Sequence, residues 1–92
     1  MVTDEAIVAA VCRILSTAKT RYYVVTARGV MRVLGQEIRH GRLRAVLRYY
    51  GFQFTRWGPA DSLPKYVVDV ESAKRICEKI REKKKRLFSN DF

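Results

Sequence analysis

Between residues 38 and 51, Leu43, Val46, Leu47 and Tyr50 recur at i, i+3, i+4 and i+7. That spacing lays side chains along one face of an α-helix and excludes a half-buried strand. At about 100° per residue, the same wheel puts Gly41, Ala45 and Arg48 on the opposite face, with Arg42, Arg44 and Tyr49 beside them. The segment is therefore expected to be a helix over residues 38–50 with one apolar side. Its other side holds two small residues among arginines. Gly51 follows the last apolar residue, where a left-handed cap ends a helix.

The rest of the chain supplies the elements this helix must pack against. Thr3 is a good N-cap, Asp4 and Glu5 complement a helix dipole, and Ile7, Val8, Val11, Ile14, Leu15 and Ala18 keep the helical period. A first helix is expected over 4–18. Residues 21–25, Arg-Tyr-Tyr-Val-Val, read as a strand. Thr26 then caps a second helix from Ala27 to Leu34, with apolar positions Val30, Met31, Val33 and Leu34, and Gly35 stops it. Residues 35–37 leave only a tight turn before the arginine-bearing helix. Two short helices so joined make a helix-turn-helix.

After Gly51, Phe52 and Phe54 alternate with Gln53 and Thr55, which predicts a strand over 52–57. Residues 58–64 form a turn-rich loop, and 65–70 form a second strand. The segments Arg21–Thr26 and Lys65–Asp69 echo each other, which suggests that the first strand pairs beside the last. A third strand helps, because a two-stranded ribbon is marginal in water. A last helix is expected from Glu71 or Ser72 to Leu87, on Ala73, Ile76, Cys77, Ile80 and Leu87. The whole is read as one domain over residues 1–88 with a frayed tail at 89–92.

Ninety-two residues, 48% of them apolar or aromatic, suffice for one small core without staples. No apolar run approaches the roughly 20 residues of a membrane span, and the N-terminal residues lack the pattern of a signal peptide. A cytoplasmic, nucleoid-associated location follows as the expectation. The formal charge is +10. So large a charge on so small a body implies a polyanionic partner. Residues 21–51 carry seven arginines against Glu37 alone, whereas lysine dominates residues 71–92. Arginine suits planar recognition of phosphate and guanine, and lysine acts as a point charge.

The order helix, strand, helix, turn, arginine-rich helix, hairpin, closing helix resembles the winged-helix family of helix-turn-helix proteins. The likeness rests on residues 26–35, on Arg42 through Leu47 and on Tyr50-Gly51-Phe52. It implies an α+β fold, a winged helix-turn-helix of order α-β-α-α-β-β-α with a small antiparallel sheet. In that family the second motif helix enters the major groove and the hairpin touches the adjacent minor groove or backbone. Carried over, this implies groove contacts from Arg42, Ala45, Arg48 and Tyr49. Arg39, His40 and Arg44 would lie near phosphates, as would Arg28 at the first motif helix. Arg56 and Lys65 are the cations at the hairpin root, and the tip carries Asp61 and no base. Trp57 is expected to cap the edge of the core rather than to stack on a ligand.

Other chemistry finds little footing. His40 has no activating partner in the pattern, and no phosphate-binding glycine loop is present, so no enzyme activity and no cofactor are expected. Cys12 and Cys77 lack metal-ligand spacing. They are expected as buried free thiols, with a bridge between the first and last helices as the alternative. Such a bridge would suit a thermophile, toward which the richness in Arg, Lys, Val and Ile leans. In the last helix Ile76, Ile80 and Leu87 offer a homodimer face that Lys84 interrupts, and the two readings stay balanced. The expected partner is nucleic acid, duplex DNA first and structured RNA second. A protein-interaction module is the third reading, and membrane binding ranks last because no helix pairs a basic face with a broad apolar one.

Overall fold

The computed structural model describes residues 2–58 and 65–89, with the backbone alone for His40 and for residues 83–89. Among the described residues the chain is an α+β fold of four helices and one antiparallel sheet. In chain order these are α1 (Asp4–Ser16), β1 (Tyr22–Thr26), α2 (Ala27–Leu34), α3 (His40–Tyr49), β2 (Phe54–Trp57), β3 (Lys65–Asp69) and α4 (Val70–Ser89). The sheet order is β1-β3-β2, so the first strand does pair beside the last, Val24 opposite Val67 and Val25 opposite Tyr66.

Local chemistry explains most boundaries. The Thr3 side chain accepts from the Ala6 amide at 3.1 Å and opens α1, and Thr26 accepts from the Gly29 amide at 3.0 Å to open α2. Gly35 ends α2 in the left-handed region at φ 70°, its amide donating to the Met31 carbonyl at 2.8 Å. Gly51, at φ 82°, turns the chain after α3, and the Phe52 amide reaches back to the Leu47 carbonyl at 2.9 Å. This closure drives Phe52 into the core. Asp69 accepts from the Ser72 amide at 3.1 Å and so caps α4.

Several expectations need correcting. The arginine-bearing helix begins at His40, not at residue 38; Ile38 is a half-buried anchor within the turn, and Arg39 is an N-cap without a side-chain bond. The first helix stops at Ser16, and β2 starts at Phe54 because Phe52 is taken up by the helix closure. Of the apolar positions of α2, Val33 lies at the surface. Ser89 is still helical, and residues 90–92 of the expected tail lie outside the described residues. So do residues 59–64 of the hairpin tip, Asp61 included.

The core forms where α1, α2 and α3 meet one face of the sheet. Ile7, Val11, Val30, Leu43, Leu47 and Val68 are fully buried there. Among the described residues no polar or charged side chain is buried with them. The thiols are not free: Cys12 of α1 and Cys77 of α4 form a disulfide, with Cα atoms 5.8 Å apart. Neither cysteine is fully buried. Lys74 of α4 also donates to the Ala18 carbonyl just beyond α1, at 3.3 Å, as a cation does at a helix C-terminus. No described helix is long and apolar enough to cross a membrane.

Candidate nucleic-acid interface

The inward half of α3 is firmly held. Leu43 and Leu47 are wholly buried, Val46 nearly so, and Tyr50 is half-buried against the same core. Burial pushes the Tyr50 phenol above its ordinary pKa, with the carboxylates of Glu5 and Asp4 adding to the effect. The N-terminus of α1 therefore lies close to this side of α3.

That fixed side determines what faces out. Gly41, Arg44, Ala45, Arg48 and Tyr49 are all exposed and together line a shallow concavity along the outer face of α3. Tyr49 is 81% exposed, its ring edge-on to Tyr50 at 5.3 Å. Gly41 has nothing within 4 Å of the position a Cβ would take, so the fold itself does not demand glycine there. Two small residues leave bare helix backbone open to a partner.

Arg44 and Arg48 also wall a second, larger groove, between α3 and the start of β2. It continues past Gln53 and Thr55 to Tyr22 and has a volume of about 790 Å³. Arg56 lines it as well. The two arginines thus stand on a ridge between two concavities. Neither makes an ion pair or hydrogen bond among the described residues. A guanidinium with no partner among the described residues is available for an external anion.

The remaining site residues divide. Arg42 does not stand with the ridge: its Nη2 and Nε lie 3.2 and 3.4 Å from Oδ1 of Asp4, on the flank toward α1. Both partners are substantially exposed, so the pair is weak, but it draws Arg42 away from the groove-facing position expected of it. Arg39 is exposed at the N-terminus of α3, and Arg28 is exposed near that of α2. His40 begins α3, and its side chain lies outside the description. Lys65 is exposed and places its ammonium 5.4 Å from the centre of the Trp57 ring.

Trp57 is itself a correction. It does not cap the core: it is 60% exposed at the end of β2. The signal was in the alternation of the strand, since Phe54 faces inward and Trp57, three residues on, must face outward. No family model matches the chain, and neither does any curated protein or solved structure. What the site does therefore rests on its own geometry. Among the described residues no group of three or more His, Cys, Asp or Glu is placed to hold a metal ion.

The dimer face expected on α4 is only partly described. Ile76 and Ile80 are half-buried against the domain's own core, while Lys84 and Leu87 have side chains outside the description.

Proposed function

We propose that this chain is a small basic winged-helix DNA-binding protein, a transcription regulator or chromatin-associated factor, that lays α3 in the major groove of duplex DNA. The observation that carries the reading is the outward pair Arg44 and Arg48, unpartnered among the described residues, on a helix whose other side is locked into the core. An α-helix fits the major groove, where arginine bonds guanine through two acceptors. The bare backbone at Gly41 and Ala45 lets the helix approach closely. Arg39 precedes the same helix and Arg56 lines the adjoining groove, while Arg28 is exposed at the start of α2; all three suit phosphate contacts that set register without reading sequence.

The test is a selection from random duplex DNA followed by binding of the preferred site. Arg48→Ala should weaken that site by about 1–3 kcal/mol and relax preference at one base pair. Arg44→Ala should weaken all sequences alike. Unchanged binding by the Arg48 variant would overturn the assignment of α3 as the reading helix.

A second reading is favoured by the exposure of Tyr22, Tyr49 and Trp57: aromatic rings among cations suit structured RNA with unpaired bases. Competition between duplex DNA and folded RNA at matched salt separates the two, and a clear preference for RNA would displace the first.

A further inference from the structure

The outer face of the sheet has no described element packed on it. Val25, Tyr66 and Val68 point into the core, so their neighbours along the strands point away from it. The register brings together Tyr22, Val24 and Thr26 of β1, Lys65, Val67 and Asp69 of β3, and Thr55 and Trp57 of β2. Val24, Val67 and Thr55 form one row across the three strands, and Lys65 stands beside Trp57. Tyr22, Val24 and Trp57 are 54%, 44% and 60% exposed.

Each aromatic corner carries its own cation. The Arg21 guanidinium lies 5.4 Å from the centre of the Tyr22 ring, and the Lys65 ammonium lies 5.4 Å from that of Trp57. The two rings sit at opposite corners of the face. Four residues along a strand and two strand spacings separate them, about 16 Å. The result is an open, largely apolar floor with a π-surface and a cation at each end; the Asp69 carboxylate beside Tyr22 is taken up by the Ser72 amide at the start of α4.

That combination fits one class of occupant. An unpaired base offers a flat face to an aromatic ring, and its phosphate offers a charge to the adjoining cation. A base-paired duplex hides its base faces in the stack and cannot use the rings. A second copy of this chain would bring +10 against +10. The face is also continuous with the α3 ridge, because the groove lined by Arg44 and Arg48 reaches Tyr22 and Thr55. We propose that the outer sheet face binds unpaired nucleotides, so that the preferred ligand is a duplex continuing into a single strand. The duplex half of that ligand rests on the reading of α3 given above.

The experiment compares, on the full chain, a short blunt duplex with the same duplex bearing a tail of about six unpaired nucleotides on either strand. The tail on one strand should tighten binding about tenfold. Trp57→Ala should abolish that gain and leave blunt-duplex affinity within about twofold, and Trp57→Phe should keep most of the gain. Trp57 is the one tryptophan of the chain, so its emission should be quenched by the tailed ligand and not by the blunt one. A tail that adds nothing, a gain that survives Trp57→Ala, or unmoved emission would overturn the proposal. So would a sedimenting dimer that Trp57→Ala dissociates, which would give the face to a second copy. Tail binding that needs Trp57 without any blunt-duplex binding would support the sheet face and overturn the duplex seat on α3. The two readings thus fail separately.

Discussion

Replacing both cysteines with alanine should cost this domain much of its stability and none of its binding. The bond joins residues 65 positions apart, so nearly three-quarters of the chain lies inside the closed loop. In the chain-entropy account, a loop of that length removes about 4 kcal/mol of denatured-state freedom at 25 °C. Measured values for disulfides more often fall at about 2–4 kcal/mol. For a domain of this size, about 3 kcal/mol corresponds to roughly 12–24 °C in Tm. Cys12 and Cys77 are only partly buried, which keeps the packing loss on truncation small beside the loop term. The assay is guanidinium unfolding of the oxidised chain, of the dithiothreitol-reduced chain and of the double-alanine variant. The midpoint should fall in both altered forms, and the slope should rise because opening the loop lets the denatured chain expand. α4 packs on α1 and β3, away from the Arg44 and Arg48 ridge, so DNA affinity should hold wherever the variant is folded. A loss of unfolding free energy smaller than about 1 kcal/mol would refute the loop argument. A fall in affinity at full folding would refute the separation of the bond from the site.

Other outcomes follow from the same geometry. With roughly four phosphates neutralised, affinity for DNA should drop on the order of 100-fold between about 50 and 200 mM salt, and a flat titration would exclude the electrostatic reading. Gly41→Ala meets no obstacle and should raise stability by up to about 1 kcal/mol while weakening DNA binding. A thermal melt beside a binding isotherm shows whether the two effects part in this way. Leu47→Ala empties a wholly buried site and should cost about 2–5 kcal/mol in denaturant melts. The folded pKa of Tyr50 is raised, so the neutral phenol favours the fold. That contribution is complete below the unfolded value of about 10 and is lost as pH rises through the higher folded value. Tyr50→Phe should flatten the alkaline part of a stability–pH curve.

The elements bounded by their own chemistry were legible in the sequence. Thr26 and Gly35 mark both ends of α2, and Thr3 marks the start of α1, because caps act within a few residues. The turn before α3 was not legible. Ile38 falls on the apolar side and is half-buried, so periodicity alone cannot tell a helical residue from an anchor in the preceding turn. The Cys12–Cys77 bond stood only as the alternative to free thiols, since spacing says nothing of which helices become neighbours. Only the packing of α4 on α1 brings the two sulfurs together.

The site divides along the same line. The apolar stripe on α3 dictates that Arg44 and Arg48 point outward, and the structure has them there. Arg42 sits one residue before the buried Leu43, at the margin of the stripe, where a partner from elsewhere can claim it. That partner is Asp4, 38 positions away, a contact that no local pattern encodes. The ion pair also has a consequence for binding. It leaves a carboxylate on the α1 flank of α3, so removing Asp4 takes a negative charge off the side from which a polyanion approaches the helix. Asp4→Ala should cost stability by no more than about 1 kcal/mol, the range of an exposed pair. It should leave DNA affinity equal or higher, and raise the association rate most at low salt. If affinity instead fell, Asp4 would be holding Arg42 in its binding position, and Arg42 would return to the groove-facing set.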